Sequence, residues 1–360
     1  MRHRLTSLFE RWTQGERAPG LYAYGALAAP ASLVYRLALM ARPPLSRRFP
    51  ALQHARLIVV SSPLVGGVGK TPLTALLANG LRSAGHRPAI VTMGYGRRSS
   101  GDACILEAAG GVLAESVGDE AAELWLATQC PVHVGQEPAN AIDQLDRAIA
   151  HDWVIFDDGV SRAWQGEKRV VALSDSDFER PLRYLPFGRW RTTPASLKSA
   201  SYVAITSLSD APAANAHRER LQEWGFSGQV GWFSYRLEGM QPYPDGLSSD
   251  PPAGGPVRTG NPLVFCGIAR PDRFCHSVRS LGLSDTAFRV FPDHHSYTRD
   301  DLAELERIRL RLGCTWFLTT LKDAVKIDPR WIGSTPLFFL RIALHQVAGT
   351  DILVALTKDG

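Results

Sequence analysis

Several short stretches of this chain combine residue types that handle phosphate. Gly66-Gly67-Val68-Gly69-Lys70-Thr71 follows the apolar run Arg56-Leu57-Ile58-Val59-Val60 and leads into Pro72, a residue welcome in a first helical turn. Glycines there let backbone N–H groups point inward at phosphate oxygens. Lys70 can reach the outer phosphates, and the Thr71 hydroxyl can hold Mg²⁺. A helix starting at this point adds its own positive end. These six residues predict a nucleotide cradle. Trp153-Val154-Ile155-Phe156-Asp157-Asp158 reads as an apolar strand ending in two carboxylates, the second element by which such sites hold Mg²⁺, directly or through water. Gly118-Asp119-Glu120 opens a helical pattern, either as a favourable first-turn charge or as a working carboxylate. Phe291-Pro292-Asp293-His294-His295 closes another strand, as a surface pair beside an Asp cap or as a proton-handling group. Gly94-Tyr95-Gly96-Arg97-Arg98 either aims arginines at an anion or only turns the chain. Thr319-Thr320-Leu321-Lys322 ends a strand on a lysine.

The elements that must carry these residues alternate. Strand patterns at Pro88–Thr92, Val132–Val134, Trp153–Phe156, Val170–Leu173 and Tyr202–Thr206 are interleaved with helical patterns at Asp119–Gln129 and Ala139–Ala150. Strands spaced by helices predict an α/β fold, a P-loop NTPase-like, mostly parallel sheet flanked by helices. Ligands then bind where the loops leave the C-terminal strand ends. Composition turns to Gly, Pro, Ser and Asp between Gly239 and Pro262, which predicts a long loop. A second run of strands and helices follows, from Leu263 to Ile342. The expected division is 1–45 as an N-terminal membrane-interface region, 46–237 as the P-loop domain, 238–262 as a linker, 263–345 as a smaller α/β domain and 346–360 as a C-terminal segment.

The 360 residues carry a net charge of +5, and most of the basic residues are Arg, the side chain suited to bidentate contact with phosphate. No zinc-finger spacing, aromatic-basic RNA motif or basic heptad helix is present, so nucleic acid is not an expected partner, and no protein partner is evident. The five cysteines are scattered without a C-x-x-C, which predicts buried thiols in a reducing compartment rather than disulfides or structural zinc. Residues 20–42 are mostly apolar but are expected to break at Pro30, and they include Arg36. Arginines flank both sides. The pattern predicts a helix lying in the membrane interface, with Tyr22, Tyr24 and Tyr35 at headgroup level. The alternative is a helix packed on the protein's own core.

Taken as an ordered set, the motifs resemble those of the tetraacyldisaccharide 4′-kinase family, which phosphorylates the lipid A precursor. The family's phosphate loop is matched at Gly66–Pro72, its G-Y-G-R at Gly94–Arg97 and its G-D-E at Gly118–Glu120. Its D-D-G falls at Asp157–Gly159, its G-I-A-x-P-x-R-F at Gly267–Phe274, its F-x-D-H at Phe291–His294 and its K-D-A-V-K at Lys322–Lys326. The resemblance implies ATP and Mg²⁺ as donor and cofactor. Gly66, Gly67, Val68, Gly69, Lys70 and Thr71 would cradle the nucleotide, and Thr71, Asp157, Asp158 and Glu120 would complete the metal shell. Asp119 resembles the base that takes the proton from the 4′-hydroxyl, partnered by His294 and assisted by Lys70 on the phosphates. Tyr95 and Arg97 would contact the acceptor, tetraacyldisaccharide 1-phosphate. The family's place on the cytoplasmic face of the bacterial inner membrane fits the apolar N-terminal segment.

Other positions depart from the family pattern. Leu64 replaces a small hydroxyl residue, Ser62 stands for an Asn, Met93 for an Arg and Leu321 for a Glu. Val160-Ser161-Arg162 follow the two aspartates where an apolar residue, Gln and His are usual. Pro186–Arg191 keeps only a vestige of a Pro-x-Gly-Pro-Leu-Arg-Glu segment. Two alternatives follow. One is a weakened or re-targeted paralogue that binds another lipid or saccharide. The other is a membrane-associated switch ATPase, whose signature Lys before the glycine pair is Val65 here.

Overall fold

The computed structural model describes residues 8–9, 12–13, 19–41, 48–93, 104–106, 117–135, 137–158, 163–209, 213–243, 260–283 and 286–358. In chain order the helices are α1 (Pro19–Ala41), α2 (Lys70–Ser83), α3 (Asp119–Thr128), α4 (Pro138–Ala148), α5 (Ala214–Glu223), α6 (Pro271–Ser280), α7 (Arg299–Arg311), α8 (Leu321–Ala324) and α9 (Ile352–Thr357). The strands are β1 (Arg48–Phe49), β2 (Arg56–Ser61), β3 (Pro88–Thr92), β4 (Cys104–Leu106), β5 (Val132–Val134), β6 (Trp153–Asp157) and β7 (Ala163–Trp164). They continue with β8 (Lys168–Ser174), β9 (Tyr202–Ser207), β10 (Gln229–Tyr243), β11 (Pro262–Cys266), β12 (Ala287–Val290), β13 (Trp316–Thr320) and β14 (Leu337–Gly349).

One 12-stranded sheet holds the site together, in the order β12-β11-β13-β14-β10-β9-β8-β2-β6-β3-β5-β4. Pairing is parallel except for β10 with β14 and β4 with β5. Strand β2 shows why both faces are covered. Leu57 and Val59 point to one side, where α4 contributes Ile142 and Leu145. Ile58 and Val60 point to the other, against Leu73 and Leu77 of α2 and Leu124 of α3. Side chains alternate along a strand, so a run apolar at every position needs helices on both faces. Each fully buried aliphatic side chain contributes roughly 1.5–3 kcal/mol.

Two sequence expectations change here. Residues 238–243, read as the start of a loop, are strand: β10 runs to Tyr243 and pairs along β14 as far as Leu337. Gly239 and Pro242 looked like loop residues, but the ladder takes Gly239 into a register shift beside Leu237. Helix α1 also continues through Pro30 rather than breaking there.

Helix α1 touches the rest of the chain along a narrow seam. Leu21, Gly25, Ala28 and Ser32 are buried, at near-helical spacing, while Leu27, Leu33, Val34, Leu37 and Met40 are exposed. It is the one helix among the described residues long and apolar enough to cross a membrane. Two of the tyrosines expected at lipid headgroups bond inward instead. The Tyr24 hydroxyl donates to the Pro186 carbonyl at 2.7 Å and the Tyr35 hydroxyl to the Arg191 carbonyl at 3.0 Å. Tyr22 remains exposed. Cys130, Cys266 and Cys314 are buried free thiols, as their scatter predicted.

Candidate active site

The phosphate loop leaves the end of β2 and enters α2 at Lys70, with Gly66 and Gly69 at φ 92° and 90°. A Cβ on Gly69 would lie 2.3 Å from the Tyr235 hydroxyl, and one on Gly67 would lie 3.1 Å from the Arg270 side chain. The loop is therefore bare where other elements approach it closely. Below it, Leu64 is buried and forms a bridge with Trp190. Val65 N–H donates to the Arg189 carbonyl at 2.9 Å, and Arg191 N–H donates to the Pro63 carbonyl at 2.8 Å. The Arg189 guanidinium reaches the Val65 carbonyl at 2.9 Å and Asp177 at 2.7 Å. The segment that looked vestigial is thus the brace under the phosphate loop, and α1 rests on its other side.

Asp157 and Asp158 end β6 beside the loop. Asp157 is buried, and its Oδ1 has no hydrogen-bond partner. Burial pushes its carboxyl up to about 7, the nearby Glu120 charge adds to the shift, and Lys70 opposes it. Asp158 has a different environment. It sits at φ 68°, pairs with the Arg191 guanidinium and lies 3.8 Å from Lys70 Nζ. Among the described residues no three His, Cys, Asp or Glu side chains gather as a metal cage.

Asp119 and His294, 175 residues apart, meet across the cleft. His294 Nδ1 lies 2.8 Å from Asp119 Oδ2. The loop that delivers the histidine is tightly held. Asp323, fully buried at the start of α8, accepts from Gly267 N–H at 3.0 Å and from the Thr320 hydroxyl at 2.8 Å. Gly267 in turn supplies the carbonyl that accepts from His294 N–H at 3.2 Å, with His294 at φ 57°. A Cβ on Gly267 would press on the Pro292 carbonyl at 3.0 Å, so this glycine admits the histidine loop. Two lysines close the cluster. Lys322 Nζ is 3.9 Å from Asp119, 3.6 Å from Asp293 and 3.4 Å from His294 Nε2. Lys326 Nζ is 3.9 Å from Asp119 and 2.9 Å from Asp323. Burial alone would raise the Asp119 carboxyl, but the His294 hydrogen bond and the two ammonium groups hold it down to about 2. The bond to Asp119 raises His294 against burial and the Lys322 charge. Lys322, although buried, is held above its ordinary value by Asp293, Asp119 and other carboxylates.

The phosphate loop and the His294 cluster border one cleft of about 570 Å³, within the usual size of a small-molecule site. Lys70, Thr71, Glu120, Asp158, His294, Lys322, Arg270 and Arg273 all face it. The profile of the LpxK family, tetraacyldisaccharide-1-P 4′-kinase, matches residues 25–352. The chain belongs to this family. The tetraacyldisaccharide 4′-kinase of Methylobacterium nodulans is 33% identical over 91% of both chains. That of Anaeromyxobacter dehalogenans is 30% identical over 84% of this chain and 80% of its own. A crystal structure of LpxK from Aquifex aeolicus in complex with ATP superposes with a TM-score of 0.63 at 21% identity, over 88% of this chain and 93% of that one. The chain shares its fold. As a member of this 4′-kinase family, the protein is an enzyme of lipid A biosynthesis.

Family membership gives the departures a physical reading. Leu64 and Leu321 are buried in the main core cluster, and Met93 packs against the second cluster, so these apolar positions serve packing beneath the site. Tyr95, Arg97 and Gly159–Arg162 lie outside the described residues. From sequence, Lys322 stands out as a strand-end lysine without a role, and none is assigned to Lys326, Arg189, Arg191 or Arg273. The lysine pair had a signal, the K-D-A-V-K spacing. Arg273 had one too, the Arg of the G-I-A-x-P-x-R-F motif, whereas Arg189 and Arg191 lie in the segment read as vestigial.

The cluster also dictates a pH dependence. Lys322 can only donate, so it favours the tautomer with the lone pair on His294 Nε2 and the proton on Nδ1, bonded to Asp119. Were that imidazole the base, it would take a proton only when neutral, and kcat would rise with pH through a value above that of ordinary histidine. Lys322→Met removes a charge that lowers the His294 pKa. The acid limb of the kcat profile should then move to higher pH, lowering kcat at pH 7 by roughly tenfold. A limb that stays in place would remove His294 from the proton path.

Proposed function

We propose that this cleft transfers the γ-phosphate of ATP to the 4′-hydroxyl of tetraacyldisaccharide 1-phosphate. The observation that carries the reading is the pairing of a glycine–lysine–threonine loop with a buried Asp–His dyad in one cleft. Backbone N–H groups of Gly66–Gly69 and the Lys70 ammonium bind and orient the triphosphate. Asp157 has a buried oxygen without a partner and a pKa raised by burial and by Glu120, as expected of a carboxylate suited to a cation. Thr71, Asp157 and Glu120 would hold Mg²⁺, which supplies neutralisation of phosphate charge. Asp158 pairs with Arg191 and lies 3.8 Å from Lys70, beside the same phosphate loop.

An alcohol needs a base near neutral pH. Asp119 is 6% exposed with a pKa near 2, whereas the His294 side chain is 40% exposed and lines the cleft. In this reading the proton passes to His294 Nε2, and Asp119 holds the tautomer and stabilises the imidazolium that forms. The exposed apolar face of α1, flanked by arginines, rests on the cytoplasmic leaflet, where the acyl chains of the acceptor also lie. Seats for the base on one side of the cleft and the phosphate loop on the other mean that a full site needs both halves, 46–237 and 263–345, in contact.

The test is direct. Purified protein with ATP, Mg²⁺ and the acceptor in phosphatidylglycerol vesicles should pellet with the vesicles and yield a 4′-phosphorylated product. Binding of acceptor without product, by folded protein with an intact site, would favour the catalytically weakened paralogue.

A further inference from the structure

Arg273 is a buried-side cation facing the cleft with no carboxylate of its own. It lies near the start of α6, two residues into the helix that follows Gly267–Arg270. Its Nη1 donates to the Tyr235 hydroxyl and its Nη2 to the Ser174 hydroxyl at 2.9 Å. The guanidinium carbon stands 4.6 Å over the Tyr235 ring. Both partners are neutral, and Asp272, whose carboxyl feels the Arg273 charge, bonds Arg270 instead. Its neighbours make that notable. Arg189 feels Arg270 and Arg273 as like charges that lower its pKa beyond the effect of burial, relieved only by Asp177. Arg270 spends its fork on Asp272. Three arginines thus stand around one glycine loop, and the one on α6 is left without an anion.

The position of the loop explains what is missing. The Tyr235 hydroxyl that Arg273 holds is the atom a Cβ on Gly69 would meet at 2.3 Å. Ser174, its other partner, ends β8, the strand hydrogen-bonded beside β2, from which the phosphate loop springs. Arg273 is therefore delivered from the far half of the chain to the rim of the phosphate cradle, across the cleft from Lys70. A planar guanidinium bonded to neutral hydroxyls can exchange them for phosphate oxygens and gain charge-assisted, bidentate bonds. An ammonium at Lys70 and a guanidinium opposite it would grip the terminal phosphates from both sides.

We infer that Arg273 is a further catalytic residue, an arginine that binds the β- and γ-phosphates of the nucleoside triphosphate donor across the cleft and carries charge that builds there during transfer. The inference rests on the nucleotide reading of the Gly66–Thr71 loop. Arginines in this role act on the transferring group, so their loss falls on kcat and on discrimination by phosphate number rather than on binding of the nucleoside.

The experiment compares wild type, Arg273→Gln and Arg273→Lys for ATP and AMP affinity, kcat with saturating ATP, and Tm. Arg273→Gln should lower kcat by on the order of 10²-fold and erase most of the preference for ATP over AMP, while Arg273→Lys keeps part of both. If Arg273 were only a brace between α6 and Tyr235, Tm would fall and ATP and AMP would weaken alike with their ratio kept. That result, or a kcat within about threefold of wild type, overturns the proposal. Wild-type protein that binds no ATP would instead overturn the nucleotide reading of the loop.

Discussion

Alanine in place of Asp119 is expected to lower kcat by about 10⁴-fold, the upper end of what a positioned acid–base group supplies, with ATP affinity changed by less than about threefold. The size follows from how many groups depend on one carboxylate. His294 loses the acceptor that fixes its ring and tautomer, and Lys322 and Lys326 lose the anion that both approach at 3.9 Å. The isosteric Asp119→Asn should be nearly as inactive. Its amide can donate to Nδ1, which moves the imidazole proton to Nε2 and removes the lone pair that meets the hydroxyl. Stability adds an independent check. The Asp119 carboxyl is lowered to about 2, so its ionised form contributes stability above the unfolded carboxylate range, lost as pH falls from about 4 to about 2. Removing it should therefore cost about 2 kcal/mol near neutrality, of the order of the pKa shift itself, and almost nothing near pH 2. His294 works in the opposite sense. Its raised pKa adds stability at pH values below that of ordinary histidine, lost as pH rises through the raised value. The pair is thus strongest between the two ranges. Asp119→Ala retaining a tenth of wild-type kcat would remove the dyad from the mechanism.

The sequence made the strand ends legible because chemistry concentrates there. Apolar runs that stop in Gly-Lys-Thr, in Asp-Asp or in Asp-His-His announce both a strand and the loop after it, and β2, β6 and β12 lie where those runs were read, the first two buried and β12 half-exposed at the sheet edge. Period and burial gave the parallel sheet for the same reason. Strand β10 was not legible. Gly239 and Pro242 punctuate its second half, which pairs with β14 alone, since β9 pairs only with Gln229–Ser234. Loop residues chosen by local composition cannot register a partner about a hundred positions away. The brace beneath the phosphate loop was hidden in another way. Some of its contacts are backbone, Val65 with Arg189 and Arg191 with Pro63, and backbone hydrogen bonds leave no mark on residue type. The site is therefore split into a half that residue identity encodes and a half that topology assembles.

Lys70 tests the encoded half. Lys70→Ala is expected to reduce kcat/KM for ATP by about 10³-fold, the loss that follows when one preorganised charge aimed at a transferring group is removed. The fold should barely respond. Lys70 Nζ is 3.8 Å from Asp158, partly exposed, and Asp158 keeps Arg191 as its closer partner. An ion pair of that kind is worth about 0–1 kcal/mol, so Tm should fall by no more than a few degrees. Asp157 gives the variant a second signature. Lys70 is the charge that opposes the upward push of burial and Glu120 on its carboxyl. Without the ammonium, Asp157 should stay protonated to higher pH, and the remaining activity should shift toward alkaline conditions. Lys70→Arg should not rescue. The glycines admit a slender stem ending in a compact charge, and a planar fork presents its donors in a different geometry. Substantial activity in the arginine variant, with ATP affinity intact, would mean that the loop binds the nucleotide without Lys70 reaching its outer phosphates, and that the charge on the transferring group is met from the Arg273 side alone.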